Sequence, residues 1–210
     1  VGQTVNPSAN SVGSSQLTVD SITGQTAETS IADDDTIIIH DTSASALRKM
    51  TKSNFVSGVG GDNKPYFFTI KSSNQNVNDN VSAKITFPAS SFHSASNVFD
   101  NTNSKFTVAT AGVYQFNAKA DLSQSNRLWS VELMLYKNGS EISSHKFYDR
   151  QDDNQDLFSK ITLNVSTLDN ASVNDYYEVY AYGNTESGDA WTINGGSTHK
   201  TTFSAYKLIT

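Results

Sequence analysis

The feature that most constrains this chain is the run 113–120. There Tyr114, Phe116, Ala118 and Ala120 alternate with Gln115, Asn117 and Lys119. Apolar residues at every second position turn one face of an extended strand toward a core and the other toward water. The same period returns over 129–136, with Val131, Leu133 and Leu135 in phase. Asn138-Gly139 follows; this pair between alternating runs predicts a two-residue hairpin turn, with 141–147 as the return strand. Segments 67–70, 83–87, 105–108, 158–165, 176–182 and 201–209 read as further strands. Nothing sustains the 3.6-residue period of a helix, so short strands between turn residues predict a sandwich or barrel. Phe116, Leu133, Leu163 and Val179 are the expected core positions.

The strand pattern begins near residue 66, and what precedes it differs. Residues 1–30 are rich in Ser, Thr, Gly and Asn and carry few large apolar side chains, too few to offset the entropy of ordering them alone. Thr36 to His40 is a β-branched strand, Asp41 to Ser45 a turn, and Leu47 to Thr51 the return strand. Ser53 is the expected cap of a brief helix that stops at Gly58. A lone hairpin is marginal in water, so this part must pack on a neighbour. The expected organisation is therefore an extended docking segment, 1–62, and an all-β head, 63–210.

Composition removes several functions. The chain has no cysteine, which excludes a disulfide framework, a thiolate metal site and a cysteine nucleophile. A net charge of −6 with only 17% charged residues lacks the basic stripe of a nucleic-acid binder. No apolar run approaches the roughly 20 residues of a membrane-spanning helix, and no membrane insertion is expected. No zinc-type His-Glu-x-x-His, nucleophile elbow, P-loop or dinucleotide fingerprint occurs, and the four histidines (His40, His93, His145, His199) show no ligand spacing. No catalytic residue is assigned, and no enzyme activity is expected.

Four elements in order carry a resemblance. They are Phe99-Asp100 with Asn103-Ser104-Lys105-Phe106-Thr107-Val108 and Ala111-Gly112-Val113-Tyr114-Gln115-Phe116; Val131 to Gly139; Asn174-Asp175-Tyr176-Tyr177-Glu178-Val179; and Thr202-Phe203-Ser204-Ala205-Tyr206-Lys207-Leu208. Together they resemble the C1q/TNF-like signature, with two departures: Ser104 stands where the family has Gly, and Ala109 where Pro is common. The resemblance implies a ten-stranded jelly-roll sandwich that assembles as a homotrimer. Separately, Ile31 to Ser43 with Ala46 to Phe55 resembles an N-terminal module of tail and fibre proteins of marine bacteriophages. That implies a virion location and contact with other virion proteins.

Candidate binding residues follow from these readings. On the strand 176–182, Tyr176, Glu178, Tyr180 and Tyr182 share the face opposite the core. With Tyr206 the three tyrosines make the expected trimer interface, since a sheet needs only one apolar face unless the other is also covered. Loops 122–127, 149–156 and 184–199 are left for a host-surface glycan or protein. There Trp191, Asp189, Asp152 and Arg150 are the expected receptor contacts. Trp191 can stack on a sugar or tuck against the sandwich. Asp149, Asp152, Asp153 and Asp156 offer the oxygen ligands calcium prefers, although the EF-hand pattern fails at Leu157 and Leu163. The expected function is a trimeric virion-appendage or fibre-tip protein that binds a receptor. The alternatives are a purely structural trimeric cap and a secreted C1q-like recognition protein.

Overall fold

The computed structural model describes residues 19–58, 63–95, 98–149, 158–196, 198 and 200–208. The chain divides into two compact units, Val1–Gly60 and Gly61–Thr210.

The first unit holds a short helix α1 (Asp20–Thr23), strands β1 (Thr36–Asp41) and β2 (Ala46–Thr51), and helix α2 (Lys52–Gly58). β1 and β2 pair antiparallel from Thr36↔Thr51 to Asp41↔Ala46. The turn forms as its residues predict: the Asp41 carboxylate accepts from Ser43 Oγ (2.6 Å) and from the Ala44 amide (3.1 Å). These bonds hold the Asp41 carboxyl below the ordinary carboxylate range. The helix cap is Thr51 and not Ser53, because Thr51 Oγ1 accepts the Asn54 amide at 3.3 Å. Two strands cannot enclose a core, and Ile38 and Leu47 stay 77% and 74% exposed.

The second unit contains β3 (Tyr66–Ile70), β4 (Gln75–Val77), β5 (Val81–Lys84), β6 (Ala89–His93), β7 (Phe99–Asp100), β8 (Lys105–Thr107) and β9 (Gly112–Ser123). It continues with β10 (Leu128–Lys137), β11 (Ser140–Tyr148), β12 (Lys160–Ala171), β13 (Tyr176–Thr185), β14 (Trp191–Ile193) and β15 (Thr202–Lys207). One sheet runs β11-β10-β13-β8-β7 with β5 also on β13; the other runs β4-β14-β9-β15-β3-β6 with β12 on β9. Every pairing is antiparallel. This is the expected jelly-roll sandwich. Its pairing is spread over more pieces than ten because β4, β5 and β14 are separate segments of three or four residues.

The alternation found in the sequence sets the core. Phe116, Leu133, Leu163 and Val179 are all buried in one cluster with Tyr114, Tyr177 and Phe203. The two sheets meet where Phe116 stacks on Tyr177 at 4.0 Å between ring centroids. Asn138 and Gly139 both take positive φ (52° and 81°), the conformation a tight hairpin turn demands, and Lys137 pairs with Ser140 across it. The Ser104 departure has a physical account. It too sits at positive φ (49°), and its buried hydroxyl accepts the Phe87 amide at 2.7 Å, satisfying a donor that glycine would leave open. β12 runs further than the expected 158–165, through twelve register pairs along β9 to Ala171↔Gly112.

Candidate functional site

Register decides what each outer face offers. On the sheet containing β3, β15, β9 and β12, one row reads Phe92–Phe68–Ser204–Asn117–Ser166 and the next Tyr66–Tyr206–Gln115–Leu168. Neither row carries a charge. Phe68 and Phe92 stack at 5.1 Å with their planes 11° apart, and Tyr66 meets Phe92 edge-on. Phe92 and Leu168 remain exposed. Tyr66, Phe68, Phe92 and Tyr206 line a concavity of about 530 Å³. The signal for this surface was the run Tyr66-Phe67-Phe68: Phe67 enters the core, so its two neighbours must face out.

The other sheet's outer face is built differently. Its rows read Ser82–Tyr182–Glu132–Lys146 and Lys84–Tyr180–Met134–Ser144. Lys84 Nζ lies 2.7 Å from Glu178 and Lys146 Nζ 3.1 Å from Glu132. Tyr180 packs on Tyr136 at 4.6 Å and its hydroxyl donates to Glu178, while the Tyr182 hydroxyl donates to Asn80. Lys105 Nζ stands 5.1 Å from the Tyr176 ring centre. The four tyrosines grouped as one interface therefore do not share a surface. Tyr176, Tyr180 and Tyr182 lie on β13, and Tyr206 lies on the opposite sheet, a division that alternation within one strand cannot reveal.

The loop residues also sort differently from expectation. Trp191 is 0% exposed and belongs to a strand, β14. Its indole N–H donates to the Asn78 carbonyl at 3.1 Å. The ring lies so close over Gly183 of the opposite sheet that a β-carbon there would stand 2.7 Å from it. Trp191 thus has no free face for a sugar; the glycine opposite, not its own polar neighbours, determines its place. Asp189 is exposed in the turn before β14. Arg150, Asp152, Asp153 and Asp156 lie outside the described residues. Asp149 is engaged by Arg127, whose Nε donates at 2.7 Å. Among the described residues no three His, Asp or Glu side chains gather as a metal site.

One charged cluster closes the end of the sandwich. Lys137 Nζ bridges Asp169 (2.7 Å) and Asp175 (3.1 Å). Asp175 also accepts from Asn138 Nδ2 and the Ser172 amide, both at 2.8 Å. The Asn138 bond foremost, then those from Ser172 and Lys137, hold its carboxyl down to about 2. The Tyr177 hydroxyl donates to Asp169 at 2.5 Å, and burial, reinforced by that carboxylate, pushes the phenol far above its usual range. One ammonium thus serves two carboxylates, hydrogen bonds from Asn138, Ser172 and Tyr177 complete their shells, and the cluster ties the β10–β11 turn to the start of β13.

No protein-family model matches the chain, and no curated protein matches it in sequence. Solved structures do. The Eiger TNF of S. frugiperda superposes with a TM-score of 0.51 at 11% identity, over 69% of this chain and 94% of that one. Murine APRIL at pH 8.0 gives 0.50 at 8% identity, over 69% and 98%. At such identities the likeness speaks to the backbone alone, and it agrees with the strand order: the head of this chain has the TNF/C1q-like jelly-roll fold.

Proposed function

We propose that the chain is a homotrimeric virion-appendage protein whose head binds a host surface and catalyses nothing. The observation that carries the reading is the uncharged aromatic face of Tyr66, Phe68, Phe92 and Tyr206. Charge depletion with aromatic enrichment is the composition of a buried interface core, and a sheet face of this kind left in water invites aggregation. Copies of the chain meeting on this face would cover it, with a contact exceeding the roughly 1,000 Å² of a specific interface. The hairpin unit, with Ile38 and Leu47 open to solvent, supports a docking role toward other virion proteins. Sedimentation tests the assembly. The chain is expected to run as a trimer at micromolar concentration and Phe92→Asp as a monomer; a wild-type monomer ends the reading. Locating tagged protein on particles by electron microscopy tests the virion assignment. A second reading, a trimeric cap that binds no receptor, draws on the burial of Trp191, which removes the strongest anchor from the loops.

A further inference from the structure

The sheet facing away from the aromatic patch carries a cleft of about 410 Å³ between β10, β11 and β13. That is within the range of small-ligand sites. Two adjacent register rows build it: Ser82–Tyr182–Glu132–Lys146 and Asn184–Ser130–Tyr148. Met134, which is buried, also lines it. Tyr148 is 63% exposed, an unusual position for a large ring at a strand end. It is held by a cation: Lys146 Nζ lies 4.9 Å from the Tyr148 ring centre, 5.9 Å from that of Tyr182, and 3.1 Å from Glu132 Oε2. Tyr148 first, then Glu132, raises the Lys146 ammonium above its ordinary range, so the tether stays charged. The side chains stand on paired strands and not on a loop, which keeps the arrangement rigid.

The chemistry of this cleft selects a ligand class. Aromatic rings with exposed faces accept the C–H face of a flat apolar-sided molecule. Beside them stand a carboxylate, an ammonium, an amide and hydroxyls, donors and acceptors at short spacing. The cation is already neutralised by Glu132, as Lys84 nearby is by Glu178. No charge is left over to hold a phosphate, a nucleic acid or an acidic sugar. A neutral pyranose meets all of these conditions: it has a C–H face for the ring and hydroxyls that both donate and accept. We propose that this cleft binds a neutral saccharide, with Tyr148 as the stacking platform and Lys146, Glu132 and Asn184 as the hydroxyl partners. The inference rests on the reading above, in which copies meet on the other sheet and leave this one open. It gives host binding a place on the sheet and not on the loops.

The test is a titration of the full chain with neutral methyl hexopyranosides, N-acetylglucosamine and their oligomers, followed by amide chemical shifts, with sedimentation run in parallel. At least one neutral sugar is expected to bind at about 1 mM or tighter, shifting amides of β10, β11 and β13. Tyr148→Phe is expected to keep this binding, whereas Tyr148→Ala and Lys146→Met weaken it at least about tenfold with unchanged melting. Tyr176→Ala, at the far end of the same face, leaves it intact. The assignment is overturned if no neutral sugar shifts these amides at about 50 mM, if only anionic sugars bind, or if Tyr148→Ala binds like the parent. A trimer that binds no sugar removes this site and spares the assembly; a monomer that binds sugar does the reverse.

Discussion

Two sheets of one sandwich present opposite surfaces to their surroundings. On the β10–β11–β13 side, Lys84 and Lys146 each face a carboxylate, and the tyrosines between them are anchored by hydroxyl bonds or ring contacts. On the β3–β15–β9 side, two whole rows run from strand to strand without an ionisable acid or base other than tyrosine, and Phe92 stands open. The inner faces do not differ in this way, since both contribute to the same apolar cluster. Burial of a shared core makes the fold; the division of charge between the outer faces separates a surface that can live in water from one that needs a cover. Pairs that reach the solvent on one side, such as Lys146 with the half-buried Glu132, add little stability, so their value lies in what they keep solvated.

The largest effect that tests this comparison comes from the residue joining the sheets. Trp191→Ala is expected to cost about 3–5 kcal/mol in denaturant unfolding, because the indole fills the space over Gly183. A cost near zero would mean that the sheets are stable independently and that the core is not shared. Next come two ionisable groups, one near each sheet, whose protons are released more easily in the folded chain, so that stability rises with pH in two separate windows, one alkaline and one acid. Lys71, just past β3, is almost fully buried, and its ammonium donates only to neutral acceptors: Gln75 Oε1 (2.9 Å), Thr86 Oγ1 (2.9 Å) and the Thr86 carbonyl (3.1 Å). Burial pulls it down from 10.5 to about 8. Between those values the folded chain has released a proton that the unfolded chain still holds, so stability is expected to rise with pH across this window. Lys71→Met would remove that rise. The smaller effect belongs to Asp175, which leads into β13. Its carboxyl, held down from 3.8 to about 2, stabilises the fold above the first value and ceases to do so as pH falls toward the second. Asp175→Asn is expected to flatten the acid limb of the unfolding profile between these values, and an unchanged limb would show that its three donors are dispensable.

The fold was legible wherever a local rule decided the outcome. Alternation placed Phe116 and Leu133 in the core, Asn138-Gly139 made its turn, and Asp41 closed the first hairpin. What was not legible depended on a partner distant in sequence. The second half of β12 reads Ser166-Thr167-Leu168-Asp169-Asn170, polar enough to pass for a loop, and is a strand because β9 offers it a continuous ladder. Trp191 sits among polar residues and is buried because position 183, across the sandwich, has no side chain. Of the residues expected to touch a receptor, Asp189 is exposed and Trp191 is not. The cleft of Tyr148, Lys146 and Glu132 was invisible because its members share no motif and meet only through register.

The pairing of β15 has a consequence for how the head is made. β15, the last in chain order among the described strands, does not sit at an edge: it lies between β9 and β3, with Ala205 opposite Phe116 on one side and Phe67 on the other. Until residues 202–207 have been synthesised, β3 and β9 have no partner between them, and two strand edges rich in aromatics stand open. Folding of this sheet must wait for its final strand, so a nascent or truncated head is the form most exposed to wrong pairings, and contacts this far apart in sequence close slowly. The order of translation thereby becomes part of the protein's chemistry: the strand that completes the sheet arrives last.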